Sequence, residues 1–359
     1  MTGIEERMSK SMINTKQNNY DLLRLAFALC VFLVHLSILT QSPSFSWIPN
    51  YFNSKIAIDS FFVISGFLIT LSYENSKSLK NYYSKRLRRI YPAYFAVIIL
   101  CAVGGVFISV LRWNQYLNNK ELVKYILANL SFLNFLHPNL PGVFVHNYLN
   151  AVNGALWTIK IEVMFYLTVP IIIYLLKRYS TIVILILMYV FSVLWMMLFS
   201  MLAYKTGKLY YLDIARQLPG QLSFFSVGIF AYYYHSWLKK NNVVLLLLSL
   251  LGCVVFYFNP AIISFLWPSI LGILVIYAGS FAPYLGNFGK YGDVSYGVYI
   301  FHFPTIQLLT SLGLFSYSPW LGFISAGLMV LSLAFLSWYL IEKRFLFSQS
   351  HYKYVIPRA

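Results

Sequence analysis

The stretch Asn19–Thr40, NYDLLRLAFALCVFLVHLSILT, decides how the rest of the chain is read. It has the roughly 20 residues that an α-helix needs to cross the hydrocarbon of a bilayer, yet it carries Asp21, Arg24 and His35. Runs of the same apolar kind recur as far as residue 341. In lipid every backbone N–H and C=O must find its partner within the protein, so a lone apolar segment of this length has to be helical. Composition agrees. Of 359 residues, 59% are hydrophobic and 10% charged, against about 25% charged in an ordinary soluble domain. That balance excludes a soluble globular protein, a disordered chain and a disulfide-stapled secreted module. The expected fold class is all-α, a polytopic membrane protein.

Working outward from Asn19–Thr40, apolar runs between polar breaks predict ten transmembrane helices, near 19–40, 56–73, 90–111, 153–176, 180–204, 217–237, 243–258, 261–281, 293–314 and 319–341. An even number puts both termini on one side. With the termini cytoplasmic, the inner segments hold 19 Lys and Arg and the outer ones seven, with Lys160 inside a span, as the positive-inside rule requires. The expected organisation is an N-terminal cytoplasmic segment 1–18, a transmembrane domain 19–341 and a cytoplasmic tail 342–359. Residues 112–152 form a long extracytoplasmic connection. Within it NKELVKYILANLSFLNFL, Asn119–Leu136, places Leu122, Tyr125, Ile126, Leu130 and Phe132 at helical spacing, which predicts an interfacial or re-entrant helix. No internal repeat of fixed period is present.

Lys and Arg total 27 against 10 Asp and Glu, a net charge of +17. In a soluble protein that excess would point to nucleic acid; here it borders apolar spans, where it orients the chain and meets anionic lipid, so no nucleic-acid partner is expected. Cys30, Cys101 and Cys253 are scattered through apolar runs without the close partners of a metal or redox motif, and no metal is expected. The N-terminus lacks a short apolar core followed by a small-residue cleavage site, so no removable signal peptide is expected.

An ionisable side chain at membrane depth is costly and marks function more often than not. Arg24 and His35 are eleven residues apart, about three turns, so they project from one face of the helix roughly 16 Å apart along its axis. At this point two readings stay open: a functional stripe, or a flanking arginine paired with Asp21 and an ordinary core histidine. The second span opens with Asp59. In the fourth, LWTIKIEVMFY (Leu156–Tyr166), Glu162 must be paired, protonated or beside a wet cavity, and Tyr166 lies one turn further on its face. Trp157 stands five residues before Glu162. In KRLRRIYPAY (Lys85–Tyr94), Arg86 and Arg89 share a face at i, i+3, a geometry suited to phosphate as well as to an inner flank. His302 lies in SYGVYIFHFP (Ser295–Pro304), where Pro304 should loosen the helix.

In chain order, Arg24-x10-His35, FFVISGFLI (Phe61–Ile69), KRLRRIYPAY, LWTIKIEVMFY, FFSVG (Phe224–Gly228), SYGVYIFHFP and WYLIEKRF (Trp338–Phe345) together resemble the acyltransferase 3 family of integral membrane acyltransferases, the group that includes O-antigen and exopolysaccharide O-acetyltransferases. The likeness runs from about residue 18 to 346. It implies a multi-pass protein of the inner (plasma) membrane, acetyl-CoA or another acyl-CoA as donor, and as acceptor a hydroxyl of a saccharide, cell-surface or lipid-linked. It also implies that His35 and Glu162 are catalytic, with His35 the base and Glu162 its assistant. Arg24, Arg86 and Arg89 are the residues expected to bind the donor, and Asp59, Trp157, Tyr166 and His302 those expected near the substrates. Aromatics such as Phe144, Tyr148, Tyr210 and Tyr211 are further candidates for stacking on sugar rings. Two departures stand out: Lys160 replaces a small residue three after the tryptophan, and Glu342-Lys343-Arg344 lacks the proline of a Glu-x-Pro ending, a change expected to matter little. The alternative, from another class, is a transporter or flippase for saccharide or acyl donor that uses the same charges as a relay.

Overall fold

The computed structural model describes residues 17–259, 264–290 and 292–347; the expected N-terminal segment as far as residue 16 and the tail from 348 lie outside them. The described residues contain helices and loops and no strand. In chain order the main helices are α1 (Tyr20–Thr40), α2 (Ser54–Glu74), α3 (Leu79–Ile108), α4 (Lys120–Leu130), α5 (Trp157–Arg178), α6 (Thr181–Thr206), α7 (Leu218–Tyr233), α8 (Asn242–Phe258), α9 (Trp267–Ile276), α10 (Ser295–Ser311) and α11 (Pro319–Ser337). Each of the ten expected spans falls on a helix. Six, those built on α1, α2, α3, α5, α6 and α11, are long and apolar enough to cross a membrane, which makes this a multi-pass membrane protein. The other four are shorter: α7 has 16 residues, α8 and α10 have 17 each, and the apolar stretch from α9 runs 15, to Phe281. The beginning of the eighth expected span, 261–263, lies outside the described residues.

The third span differs most from expectation. It starts at Leu79, eleven residues earlier than its apolar run, and passes through Pro92 without breaking. The basic stretch is therefore part of the first turns of a 30-residue helix rather than a loop before one. Proline removes one donor and frees the carbonyl four residues back, and where those carbonyls can be followed they are met by side chains. Pro170 in α5 frees Tyr166 O, which accepts from Tyr82 Oη at 3.2 Å. Pro304 in α10 frees Ile300 O, which accepts from Asn153 Nδ2 at 2.8 Å.

Two compact units divide the chain. The first comprises the described residues up to Leu23, Ile58–Tyr82 and Ile161–Asn287. Its centre is a close crossing of α2 and α7. A Cβ on Gly66 would run into the Phe225 carbonyl, and one on Gly228 into the Val63 carbonyl and, at 2.7 Å, the Phe67 amide nitrogen. Small residues let helices in lipid approach and pack closely, so FFVISGF and FFSVG are two halves of one contact. Phe165 of α5 stacks on Phe225, ring centres 3.9 Å apart, and Phe62 meets Phe165 edge-on.

The second unit comprises Arg24–Ala57, Tyr83–Lys160 and the described residues from Phe288. Here α10 packs on α11 through Gly297, where a Cβ would lie 2.7 Å from Ala334 Cα. A helix forms in the predicted stretch: α4 is capped by Asn119 and buries Leu122, Tyr125 and Asn129. The Asn129 carbonyl accepts from Tyr94 Oη at 2.8 Å, and Phe132, at φ 60°, ends the segment with its ring stacked on Tyr94. The remaining connection is tied to α10: Gln307 Nε2 donates to the Leu149 and Ala151 carbonyls, and Asn147 Nδ2 donates back to Gln307.

Candidate active site

The Arg24–His35 stripe of α1 finds a matching stripe in the second unit. Arg24 Nη1 lies 2.5 Å from Asp293 Oδ2, and His35 Nδ1 lies 2.8 Å from His302 Nε2. Arg24-x10-His35 is thus paired with Asp293-x8-His302, and the two segments run in the same direction.

Asp293 sits in the turn before α10, where the neighbouring Gly292 adopts φ +116°. A Cβ at Gly292 would strike the Trp338 indole, so glycine lets the turn close against that ring. Asp293 Oδ1 accepts from the Ser295 amide at 3.1 Å and from Ser295 Oγ, an Asx-type turn just before α10. Its Oδ2 is shared: besides Arg24 it binds Arg89 Nη2. Arg89 Nη1 also reaches Glu342 Oε2 at 3.2 Å, and Ser337 Oγ donates to Glu342 Oε1 at 2.9 Å. The Arg89 guanidinium lies beside the Tyr296 and Trp338 rings as well. Glu342 belongs to a π-helical turn, Trp338–Glu342, that continues α11.

Two guanidiniums and two carboxylates thus form one network in which the acids are sealed and the arginines are not. The side chains of Asp293 and Glu342 are 2% and 1% exposed, those of Arg24 and Arg89 20% and 12%. A guanidinium has five N–H donors. Each carboxylate contact fixes the plane of an arginine.

His302 is fully buried and its Nδ1 lies 3.3 Å from the Val298 carbonyl. His35 is half-buried, with Phe303 edge-on to its ring. Trp157, half-buried, begins α5 beside two ties to α10: Asn153 to Ile300 O, and Thr158 Oγ1 to Tyr299 Oη at 2.7 Å. Lys160 lies over the Phe135 ring. Arg86, half-buried, is one turn before Arg89, whereas Arg88 covers the Phe347 ring. Phe144 is buried within its loop, while Tyr148 and Tyr210 are exposed.

Glu162, Tyr166 and Asp59 belong to the first unit. Tyr166 Oη donates to Glu162 Oε1 at 2.5 Å, the i, i+4 pairing the spacing predicted. Asp59 is buried in α2. Among the described residues no group of three or more His, Cys, Asp or Glu could hold a metal.

Sequence reasoning missed Asp293 and Glu342. A signal existed: each is an acid at the edge of an apolar span in a chain with 10 acids and 27 bases. Glu342 had been noticed only for its missing proline, yet it is a partner of Arg89.

A family model described as an acyltransferase domain matches residues 17–339. Similar proteins include the O-acetyl transferase of Shigella phage Sf6, 26% identical over 342 residues that cover 92% of this chain and 96% of that protein. Nodulation protein 10 of Rhizobium leguminosarum bv. viciae is 26% identical over 358 residues, 91% of this chain and 92% of the relative. Peptidoglycan O-acetyltransferase OatA of Listeria monocytogenes is 25% identical over 315 residues, 77% of this chain and 48% of the relative. No solved structure matches.

Proposed function

The chain belongs to the acyltransferase 3 family of integral membrane acyltransferases and is an O-acetyltransferase; from that premise we propose that it moves an acetyl group from acetyl-CoA to a hydroxyl of a saccharide, cell-surface or lipid-linked. The observation that carries this reading is the doubled stripe, Arg24 on Asp293 and His35 on His302. It holds an imidazole and a guanidinium about three helical turns apart, a span that an extended pantetheine arm bridges.

His35 is the general base. Its imidazole takes the proton of the acceptor hydroxyl as the oxygen attacks the thioester carbonyl, and the C–S bond breaks as the C–O bond is completed. The departing CoA thiolate recovers that proton from His35, so an ester and a free thiol leave a neutral enzyme. Arg24, Arg86 and Arg89 bind the phosphates of the donor, with Asp293 and Glu342 holding the guanidiniums of Arg24 and Arg89 in place. Glu162, hydrogen-bonded to Tyr166, assists in the acid–base chemistry. Trp157, Tyr166 and Asp59 serve the substrates.

The parallel pairing of α1 with the Asp293–His302 segment also bears on topology. Two parallel spans need an odd number of crossings between them. Only four of the six long apolar helices fall between α1 and α10; adding α7, α8 and α9 gives seven. This supports ten spans, with the shorter helices crossing as part of the bundle, both termini cytoplasmic and the protein in the inner membrane. Arg24 and Arg89 then lie on the cytoplasmic side, where acetyl-CoA is found, and His35 lies towards the other face.

Donor and acceptor should enter from opposite sides. In oriented vesicles, labelled acetyl-CoA on the cytoplasmic face should acetylate a saccharide confined to the other face, and His35→Ala should lower that transfer at least 10²-fold while insertion is unchanged. Transfer that occurs only with both substrates on the cytoplasmic face rejects the crossing. Normal transfer by His35→Ala removes His35 from the chemistry.

A further inference from the structure

The pair His35–His302 holds more information than its distance. The two rings are within 9° of parallel with centres 5.1 Å apart. At a nitrogen–nitrogen separation of 2.8 Å, that is the spacing of two imidazoles meeting end to end in one plane, the geometry of a directed hydrogen bond rather than of face-to-face stacking.

The proton positions follow from what each nitrogen faces. His302 Nδ1 is turned to the Val298 carbonyl at 3.3 Å, and a carbonyl can only accept, so Nδ1 carries hydrogen. In a neutral imidazole the other nitrogen is then bare. His302 Nε2 therefore accepts, and His35 Nδ1 donates. His35 is left with its lone pair on Nε2, a nitrogen with no hydrogen bond among the described residues. Neither ring is hydrogen-bonded to a carboxylate among the described residues, so the orienting partner is a second, neutral imidazole.

We infer that His302 is a positioning residue for the base: it holds His35 in the Nδ1–H tautomer and turns the Nε2 lone pair towards the acceptor hydroxyl. This rests on the reading of His35 as base. His302 is fully buried, which suits a group that acts through its neighbour and never touches substrate. When His35 Nε2 takes the hydroxyl proton, the imidazolium keeps its Nδ1–H on His302 Nε2. No second proton moves, and the charge returns to zero when Nε2–H protonates the leaving thiolate. The carbonyl of Val298 completes the chain, so one turn of α10 orients the base of α1.

The test uses the full chain labelled with ¹⁵N-histidine in detergent micelles, with His35 resonances identified by their loss in His35→Ala. In the wild type His35 should be protonated on Nδ1 and bare on Nε2. His302→Leu removes the acceptor; His35 should then shift towards the Nε2–H tautomer favoured in water. Its kcat should fall at least tenfold with the KM for acetyl-CoA within twofold, since a base held in the wrong tautomer is worth little. His302→Gln, whose side-chain oxygen reaches about as far as Nε2, should restore the Nδ1–H tautomer and most of kcat. His35 found protonated on Nε2 in the wild type overturns the inference, as does a His302→Leu variant with unchanged tautomer and kcat. If His302→Leu does not fold, the wild type and His302→Gln spectra decide alone. The spectra need no acyl transfer, so a protein with the stated tautomer and no acetyltransferase activity would sink the functional reading and leave this one standing.

Discussion

Arg24 and Asp293, 269 positions apart in the chain, close an ion pair of 2.5 Å. The same Asp293 oxygen also holds Arg89, so arginines from α1 and α3 converge on one sealed carboxylate. Their orientation is set before any substrate arrives, which is how a site avoids ordering its own side chains when it binds.

Arg24→Lys should therefore fail. An ammonium can keep the charge opposite Asp293 but cannot reproduce the planar, two-pronged contact of a guanidinium. The expected outcome is a folded protein whose KM for acetyl-CoA rises at least tenfold, read by steady-state kinetics over a donor series. Full activity would reduce Arg24 to a flanking charge.

Asp293→Asn should damage both stability and donor binding. Removing the charge leaves two guanidiniums facing a neutral amide, and breaking a buried pair in this way costs about 3–5 kcal/mol. Thermal unfolding in detergent should show a lowered midpoint, and the KM for acetyl-CoA should rise as well. Asp293→Glu should recover the midpoint in part. A variant with unchanged midpoint and KM would mean that Arg24 and Arg89 do not depend on this carboxylate.

Asn153→Leu should destabilise the protein by about 1–3 kcal/mol, because the Ile300 carbonyl freed by Pro304 then loses its donor within a buried contact. Adding Pro304→Ala returns the backbone amide that can fill that carbonyl, so the double variant should be more stable than Asn153→Leu alone. Additive losses in the two variants would show that the carbonyl is satisfied in another way.

Gly66→Ala and Gly228→Ala should each destabilise the first unit, by roughly 1–3 kcal/mol, since the new methyl meets a backbone carbonyl that cannot turn aside. Gly104→Ala is the control: it lies in α3 with nothing within 4 Å of the added carbon and should be neutral or slightly stabilising. Equal effects at all three positions would contradict the close crossing of α2 and α7.

The sequence by itself determined the helices of this protein and the faces of those helices. Asn19–Thr40 has to be helical because lipid offers its backbone no other partner, and 3.6 residues per turn then put Arg24 and His35 on one face and Tyr166 beside Glu162. The amphipathic spacing of Lys120–Leu130 was legible for the same reason: periodicity is a local property. What the tertiary structure alone decided is what those faces meet. Nothing within either segment tells Arg24 of Asp293 or His35 of His302, because their registers match only after α1 and the 293–302 segment lie side by side. Glu342 looked like a departure from a tail motif until Arg89 came within 3.2 Å of it, and the missing proline drew attention from the acid itself. The glycines of FFVISGF and FFSVG are likewise silent apart and explicit together, since only a partner backbone turns the lack of a side chain into a contact. A bilayer dictates secondary structure residue by residue, whereas ion pairs, tautomers and backbone crossings are properties of two segments at once.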